Sequence, residues 1–389
     1  MAYNDPFHFM IEDVHGNIVA RDVKVLEPTI TRRLSGPAEI TFKVHPKEPT
    51  IQRNDGTGPI LFKPFGHWVH ALKEDLHGKE KIWASGLVQP SNVDQQTGIL
   101  TLQAKGFSDY ANGIPWLDNW NPIAVDPFEI VGRIWDHMQS YPTAKLNVSV
   151  PTRYSGTKML PGFSMTNGEF VQDFFAIFIR AVDRKDCGTY IDKLARDIPF
   201  DYFERTYWDG GSSPVRKSLE LAYPKGGVVQ DGLVFRLGEN VISASPKQET
   251  QVEWFSDITI NGYFPGKVYS STIANSDPDR YRRVMDETDL HVDSNERAAA
   301  WGRKLLSRRQ FPACQFESVE IEPYHPHAPH ASFDVGDTIT IQGKVPWYGE
   351  VTVPHRILSH TWNVNSGRIQ LGVMAGGAFN YDPIYYAGG

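Results

Sequence analysis

Ile40, Phe42 and Val44 alternate with Thr41 and Lys43, and the same two-residue period recurs in short runs along most of the chain. Side chains of a strand point to opposite faces in turn, so this alternation describes strands with one buried face. Turn signals interrupt the runs at short intervals. His15-Gly16-Asn17 lies between runs at 7–12 and 18–21, and Ser35-Gly36-Pro37 between runs at 30–34 and 39–44. Asp75-Leu76-His77-Gly78 separates 67–73 from 81–88, and Gln96-Thr97-Gly98 precedes 99–104. About seven short strands at this spacing predict a barrel or a sandwich.

The period changes near residue 111. Asp126-Pro127 supplies an N-cap and a proline for the first helical position, with Ile130, Ile134 and Met138 on one face. Thr166-Asn167-Gly168-Glu169 fits a capping box, followed by Phe170, Phe174, Ile177 and Phe178 at helical spacing, with Cys187-Gly188 beyond the end. A helical insertion over 111–214 is therefore predicted. Strands return at 219–223 and 232–237, a helix with Ala298, Trp301 and Leu305 on one face at 294–309, and strands at 317–321, 338–342, 355–364 and 368–373. Residues 83–102 and 357–371 share a strand–turn–strand outline. Duplication and ordinary hairpin chemistry both explain it.

A chain of 389 residues is long enough for two or three domains, and its 33 glycines, 27 prolines and 12% aromatic residues suit turn-rich β cores. A net charge of −7 argues against a general nucleic-acid-binding surface. Cys187 and Cys314 have no metal-knuckle or CxxC spacing and are expected as free thiols. The first residues lack a basic and an apolar region, so no classical signal peptide is expected, and no run of 18 apolar residues suggests a membrane span.

Three groups of residues invite chemistry. His325, His327 and His330 lie in a proline-rich segment. In extended backbone His325 and His327 share a face, but His330 has the wrong parity, so an exposed loop is expected and no metal site. Asp201 with Glu204, and Asp277 with Asp279, are carboxylate pairs that a glycosidase could use, yet caps and turns explain them better. Trp208-Asp209-Gly210-Gly211 could stack a sugar or form a turn, and Trp116, Trp120 and Trp135 suit either sugar binding or core filling. Nucleophile-elbow, phosphate-loop, zincin and dinucleotide motifs are absent from the sequence, and Gly376-Gly377 and Gly388-Gly389 belong to an irregular tail. No catalytic, cofactor-binding or metal-binding residue is predicted.

An ordered set of segments resembles one family. These are Arg33-Leu34-Ser35-Gly36-Pro37-Ala38-Glu39-Ile40-Thr41-Phe42, Ser85-Gly86-Leu87-Val88 and Leu100-Thr101-Leu102-Gln103-Ala104-Lys105-Gly106-Phe107. Phe235-Arg236-Leu237-Gly238-Glu239-Asn240-Val241-Ile242 and Ala298-Ala299-Ala300-Trp301-Gly302-Arg303-Lys304-Leu305-Leu306 follow, then Phe333-Asp334-Val335-Gly336-Asp337 and Arg356-Ile357-Leu358-Ser359-His360-Thr361-Trp362. The order is similar to minor tail proteins of long-tailed bacteriophages, particularly of actinobacterial hosts, and through them to baseplate hub proteins.

The resemblance implies a mainly β chain with two hub-type β-barrel domains and a helical α+β insertion. One barrel takes 1–110 with 215–250, the insertion 111–214, and the second barrel 251–389 with its helix at 294–309. It also implies a non-enzymatic homotrimer in the virion, at the distal end of the tail, assembled in the host cytoplasm. Partners would be a distal tail protein, a tape measure protein and a central fibre, with DNA passing through unbound. A tail-associated cell-wall hydrolase depending on an acid or on His327, and a glycan-binding module using Trp208, are the alternatives. In the family reading Asp334 and Asp337 are turn residues around Gly336.

Overall fold

The computed structural model describes residues 7–375 apart from 54–55, 61, 76, 121, 123–124, 157–162, 167–168, 173–178, 198–199, 210–214, 247–253, 265–266, 275–279, 290–291, 293 and 308–313. The N-terminal strands are β1 His8–Asp13, β2 Ile18–Ala20, β3 Leu26–Arg33, β4 Glu39–Val44, β5 His67–Glu74, β6 Glu80–Val88, β7 Asn92–Val93 and β8 Leu100–Lys105. A middle region holds α1 Phe107–Tyr110, α2 Pro127–Gln139, β9 Val148–Ser149, β10 Phe163–Thr166, β11 Glu169–Gln172, α3 Cys187–Asp197, β12 Asp201–Trp208 and β13 Val215–Ala222. Then come β14 Phe235–Arg236, β15 Val241–Pro246, β16 Asp257–Phe264, β17 Lys267–Ala274, β18 Val284–Asp289 and α4 Asn295–Ser307. The last strands are β19 Phe316–Ile321, β20 Thr338–Val345, β21 Gly349–Asn363 and β22 Arg368–Ala375.

The mainly β character is as expected, and alternation places Ile40, Phe42 and Val44 inside. Two closed barrels are not what forms. One 14-stranded sheet has the main path β15-β19-β22-β21-β3-β4-β8-β6-β5-β1-β2, open at both ends among the described residues, with β7 on β8, β20 on β21 and β14 on β20 branching from it. The physical reason is the length of β21. Its first half pairs with β20, a register shift follows between Ile357 and Ser359, and its second half pairs with both β22 and β3. The C-terminal strands thereby cover an edge that the N-terminal strands would otherwise leave open. Phe9, Ile30 and Phe42 then share one core with Ile339, Ile357 and Trp362.

The middle region has its own core. Asp126 caps α2 by accepting from the Phe128 N–H at 2.9 Å, as its sequence predicts. The helix predicted from Thr166 does not form over the described residues. Thr166 instead faces Glu169 in an antiparallel pair, with Asn167-Gly168 between them in sequence. Antiparallel pairing of β10 with β11 stands where the capping-box pattern predicts a helix start. Phe174, Ile177 and Phe178 lie outside the described residues. The helix starts where the predicted one was to have ended: Cys187, Tyr190, Ile191 and Leu194 of α3 are buried at the spacing of one helical face. They pack with Trp135 of α2 and with Trp68 and Leu87 of the large sheet. A further unit consists of α4 against the sheet β17-β16-β18, around Ile258, Ile260 and Ala298.

Candidate functional site: the charged seam and the exposed hairpin tip

The hairpin β12–β13 belongs in sequence to the middle region, yet four groups of polar contacts fasten it to the large sheet. Tyr202 and Ser35 are tied by two hydrogen bonds, Ser35 N–H to the Tyr202 carbonyl at 2.9 Å and Tyr202 N–H to the Ser35 Oγ at 3.1 Å. Glu204 accepts from the backbone N–H of Ala38 at 2.8 Å and of Ser108 at 2.5 Å. Further along, Lys217 of β13 donates to Glu12 at 3.3 Å, and Glu12 also meets His70 Nε2 at 2.7 Å. His70 reaches Ser85 Oγ through Nδ1 at 2.7 Å. These four side chains are buried. Burial pushes the Glu12 carboxyl up, but His70 and Lys217 outweigh it and hold it below its ordinary range, while burial lowers both His70 and Lys217.

The fourth group sits at the start of β12. Arg356 of β21 is 2% exposed and donates to Asp201 Oδ2 at 2.5 Å, to the Gly226 carbonyl at 2.7 Å and to the Gly336 carbonyl at 2.9 Å. Gly226-Gly227 can lie this close because neither carries a Cβ. One built on Gly227, at φ +79°, would come within 2.3 Å of the Gly336 backbone. Beside it Asp334 accepts from Arg32 of β3 and Arg205 of β12, both at 2.8 Å. Burial alone would raise Asp334, but the two guanidinium groups hold it down at about 2. Asp337 accepts from the N–H of Val228 at 2.8 Å and of Asp334 at 3.0 Å, and Gly336 has φ +91°. Asp334 and Asp337 thus form the turn expected around Gly336, and the turn also fastens the 226–230 segment.

Asp201 and Glu204 stand three apart on one strand, so they face opposite sides and do not converge on a cleft. Each is held by its own partners, as given above. Burial drives Glu204 up to about 7. A carboxyl raised from its ordinary 4.5 to about 7 contributes stability that is complete below 4.5 and lost as pH rises through 7. Glu204→Gln cannot ionise. The stability of the native protein should therefore fall relative to E204Q by about 3 kcal/mol between those limits. Urea unfolding at pH 5 and pH 8 checks this, and an equal pH slope in both proteins would contradict it.

The remaining sequence candidates are dispersed. Asp277 and Asp279 lie outside the described residues, as do Gly376-Gly377 and Gly388-Gly389. Trp116 and Trp135 are buried, and Arg133 lies 4.1 Å over the ring of Trp120, which stacks on Trp116. Trp208 packs against a small cluster of Met10, Leu72, Ile82 and Val215. Cys187 and Cys314 are buried free thiols in different cores, with burial pushing Cys187 up to about 12. The three histidines do not form one exposed loop. His330 is buried against Trp83, Tyr324 and Trp362, whereas His325 is half-buried and His327 exposed, their ring centroids 4.8 Å apart.

One surface feature escaped sequence reasoning. Trp347, at φ +69°, is fully exposed at the tip of the β20–β21 hairpin, next to an exposed Tyr348. A bare tryptophan gives up much apolar burial, and aromatic residues of this kind are enriched at interfaces. The signal was Pro346-Trp347-Tyr348-Gly349, turn residues that carry aromatics between two strands. Among the described residues no helix is long and apolar enough to cross a membrane.

No family model and no curated protein matches the sequence. Solved structures do match. The 43 kDa tail protein of prophage MuSo2 from Shewanella oneidensis superimposes with a TM-score of 0.60 at 16% identity, over 95% of this chain and 98% of that one. A tail protein from Neisseria meningitidis MC58 gives 0.58 at 9% identity over 97% and 99%. Prophage tail protein gp18 from Listeria monocytogenes EGD-e gives 0.53 at 12% identity over 94% of each chain. At such identities the likeness is one of fold, and it does not single out the long-tailed phages of actinobacteria. Over at least 94% of its length the chain shares the fold of these three phage tail proteins.

Proposed function

We propose that this chain is the structural hub of a bacteriophage tail tip. Three copies close a ring at the end of the tail tube, linking a distal tail protein, a tape measure protein and a central fibre, and leave a channel for DNA. The observation that carries the reading is the fold match to three phage tail proteins, which extends over at least 94% of this chain and of each of theirs. The charge pattern supports it: a chain of net charge −7 repels the phosphates of DNA passing through a channel. So does the seam. Buried ion pairs cross-brace the sheet and the β12–β13 hairpin through Glu12–Lys217 and Asp201–Arg356, which suits a ring under mechanical load.

In this reading the organisation is a hub unit of 1–110 with 215–250, an insertion of 111–214 and a second hub unit of 251–389. The long-tailed, actinobacterial assignment, the assembly in the host cytoplasm and the non-enzymatic role belong to the same proposal. The ring interface is head-to-tail, closing at three, and Trp347 marks a rim available to a neighbouring tail protein. Deleting the gene should abolish complete tails, and a plasmid copy should restore them. Intact, infectious tails from the deletion strain would refute the role.

A further inference from the structure

Glu239, His325 and His327 come from two loops far apart in sequence and meet at the surface, their potential ligand atoms all within 4.8 Å of one another. His327 Nδ1 lies 2.8 Å from Glu239 Oε1, and His325 Nε2 lies 3.9 Å from the same oxygen. We propose that Oε1 of Glu239, Nε2 of His325 and Nδ1 of His327 form a site for one divalent transition-metal ion of the zinc type. Two imidazoles and a carboxylate are the donor set that such ions prefer, whereas calcium and magnesium favour oxygen alone.

The scaffold is fixed on both sides. The Glu239 turn is clamped by the buried Asn240, whose Oδ1 accepts from Arg236 N–H at 2.8 Å and whose Nδ2 donates to the Val234 carbonyl at 2.7 Å. The histidine loop is closed by His330 N–H on the Pro323 carbonyl at 2.8 Å. The two loops are joined directly, by Val234 N–H to the His327 carbonyl at 3.2 Å and Glu322 N–H to the Asn240 carbonyl at 3.0 Å. Ala328, buried in the core, anchors the loop between its prolines. The ligands therefore lose little further backbone freedom on binding.

Arg236 donates to the other carboxylate oxygen, Oε2, at 2.9 Å, which orients Glu239 and leaves Oε1 for the ion. Tetrahedral zinc with bonds of about 2.0–2.1 Å separates its donors by about 3.3 Å. The 2.8 Å pair must open slightly and the 3.9 Å pair close, both by side-chain rotation. Binding also needs the Nδ1–H tautomer of His325. That gives up the 3.3 Å hydrogen bond its Nδ1 accepts from His327 N–H. Three protein donors leave a position for water.

The test is titration of the untagged chain, stripped with EDTA, with zinc chloride in a non-chelating buffer by calorimetry. One equivalent per chain should bind saturably, magnesium chloride should not compete, and His327→Ala and Glu239→Gln should each weaken binding about tenfold or more. No saturable binding by the native chain, or the same affinity in both folded variants, would overturn the proposal. Cobalt(II) titration of the native chain gives a readout that does not depend on any variant folding. Visible absorption that saturates at one equivalent supports the site, and absorption that grows without saturating refutes it.

Discussion

Replacing Arg356 with methionine will destabilise the protein by about 3–5 kcal/mol, measured by urea unfolding at pH 7. The loss does not come chiefly from the ion pair itself, since a buried pair recovers little beyond the cost of removing both charges from water. It comes from what is left behind. Asp201, 5% exposed, keeps the Gly226 N–H at 2.7 Å as its one hydrogen bond among the described residues, and the carbonyls of Gly226 and Gly336 lose the Arg356 donor. Burial already pulls the Asp201 carboxyl upward with the arginine present. Without the arginine that burial acts on a carboxylate with no guanidinium beside it. Adding Asp201→Asn to Arg356→Met should therefore recover part of the loss, because the second change removes the unpaired charge. Strict additivity of the two single effects would contradict this account.

The second large effect is expected at Asp334. Its carboxylate is shared by Arg32 and Arg205, so Asp334→Ala leaves two guanidinium groups facing each other near the core. A loss of about 2–4 kcal/mol follows. The pH dependence gives the sign. A carboxyl held down from 3.8 to about 2 contributes stability that is present above 3.8 and disappears as pH falls through 2. Acid unfolding of the native protein should show that loss, and D334A should be flatter over the same window. If D334A keeps the native acid slope, Asp334 is not the group that carries it.

Both predictions concern pairs that no reading of the sequence could have assembled. Arg356 and Asp201 are 155 residues apart, and Arg32 and Asp334 are 302 apart. Their meeting depends on β21 bridging the two strand sets, a property of the sheet that is not written in any local pattern. What is local was legible. The alternation of Ile40, Phe42 and Val44, the Asp126-Pro127 helix start and the Ala298–Leu305 face all describe elements that form.

Elsewhere two local signals conflict. Thr166 to Glu169 carries both a capping-box pattern and an Asn-Gly dipeptide, and Thr166 and Glu169 pair across two antiparallel strands. The helical face of Cys187, Tyr190, Ile191 and Leu194 was present in the sequence but masked by reading Cys187-Gly188 as a stop. Ile258 and Ile260 of β16 alternate as in the other strands, but polar neighbours shorten the pattern to two apolar residues. The histidines were the most instructive case. The segment is a run of turns and not extended backbone, so strand parity does not describe it, and Glu239 comes from another loop that only the fold brings to His325 and His327.

The central claim is that this fold serves as the ring at the end of a tail. The most direct measurement is electron cryomicroscopy of intact tail tips, with the chain fitted into the density. The account predicts three copies around an open axial channel at the distal end of the tube, each with its Trp347 hairpin against a neighbouring tail protein. Density for the chain along the tail shaft or at the head-proximal end, or copies that do not close a ring, would contradict it.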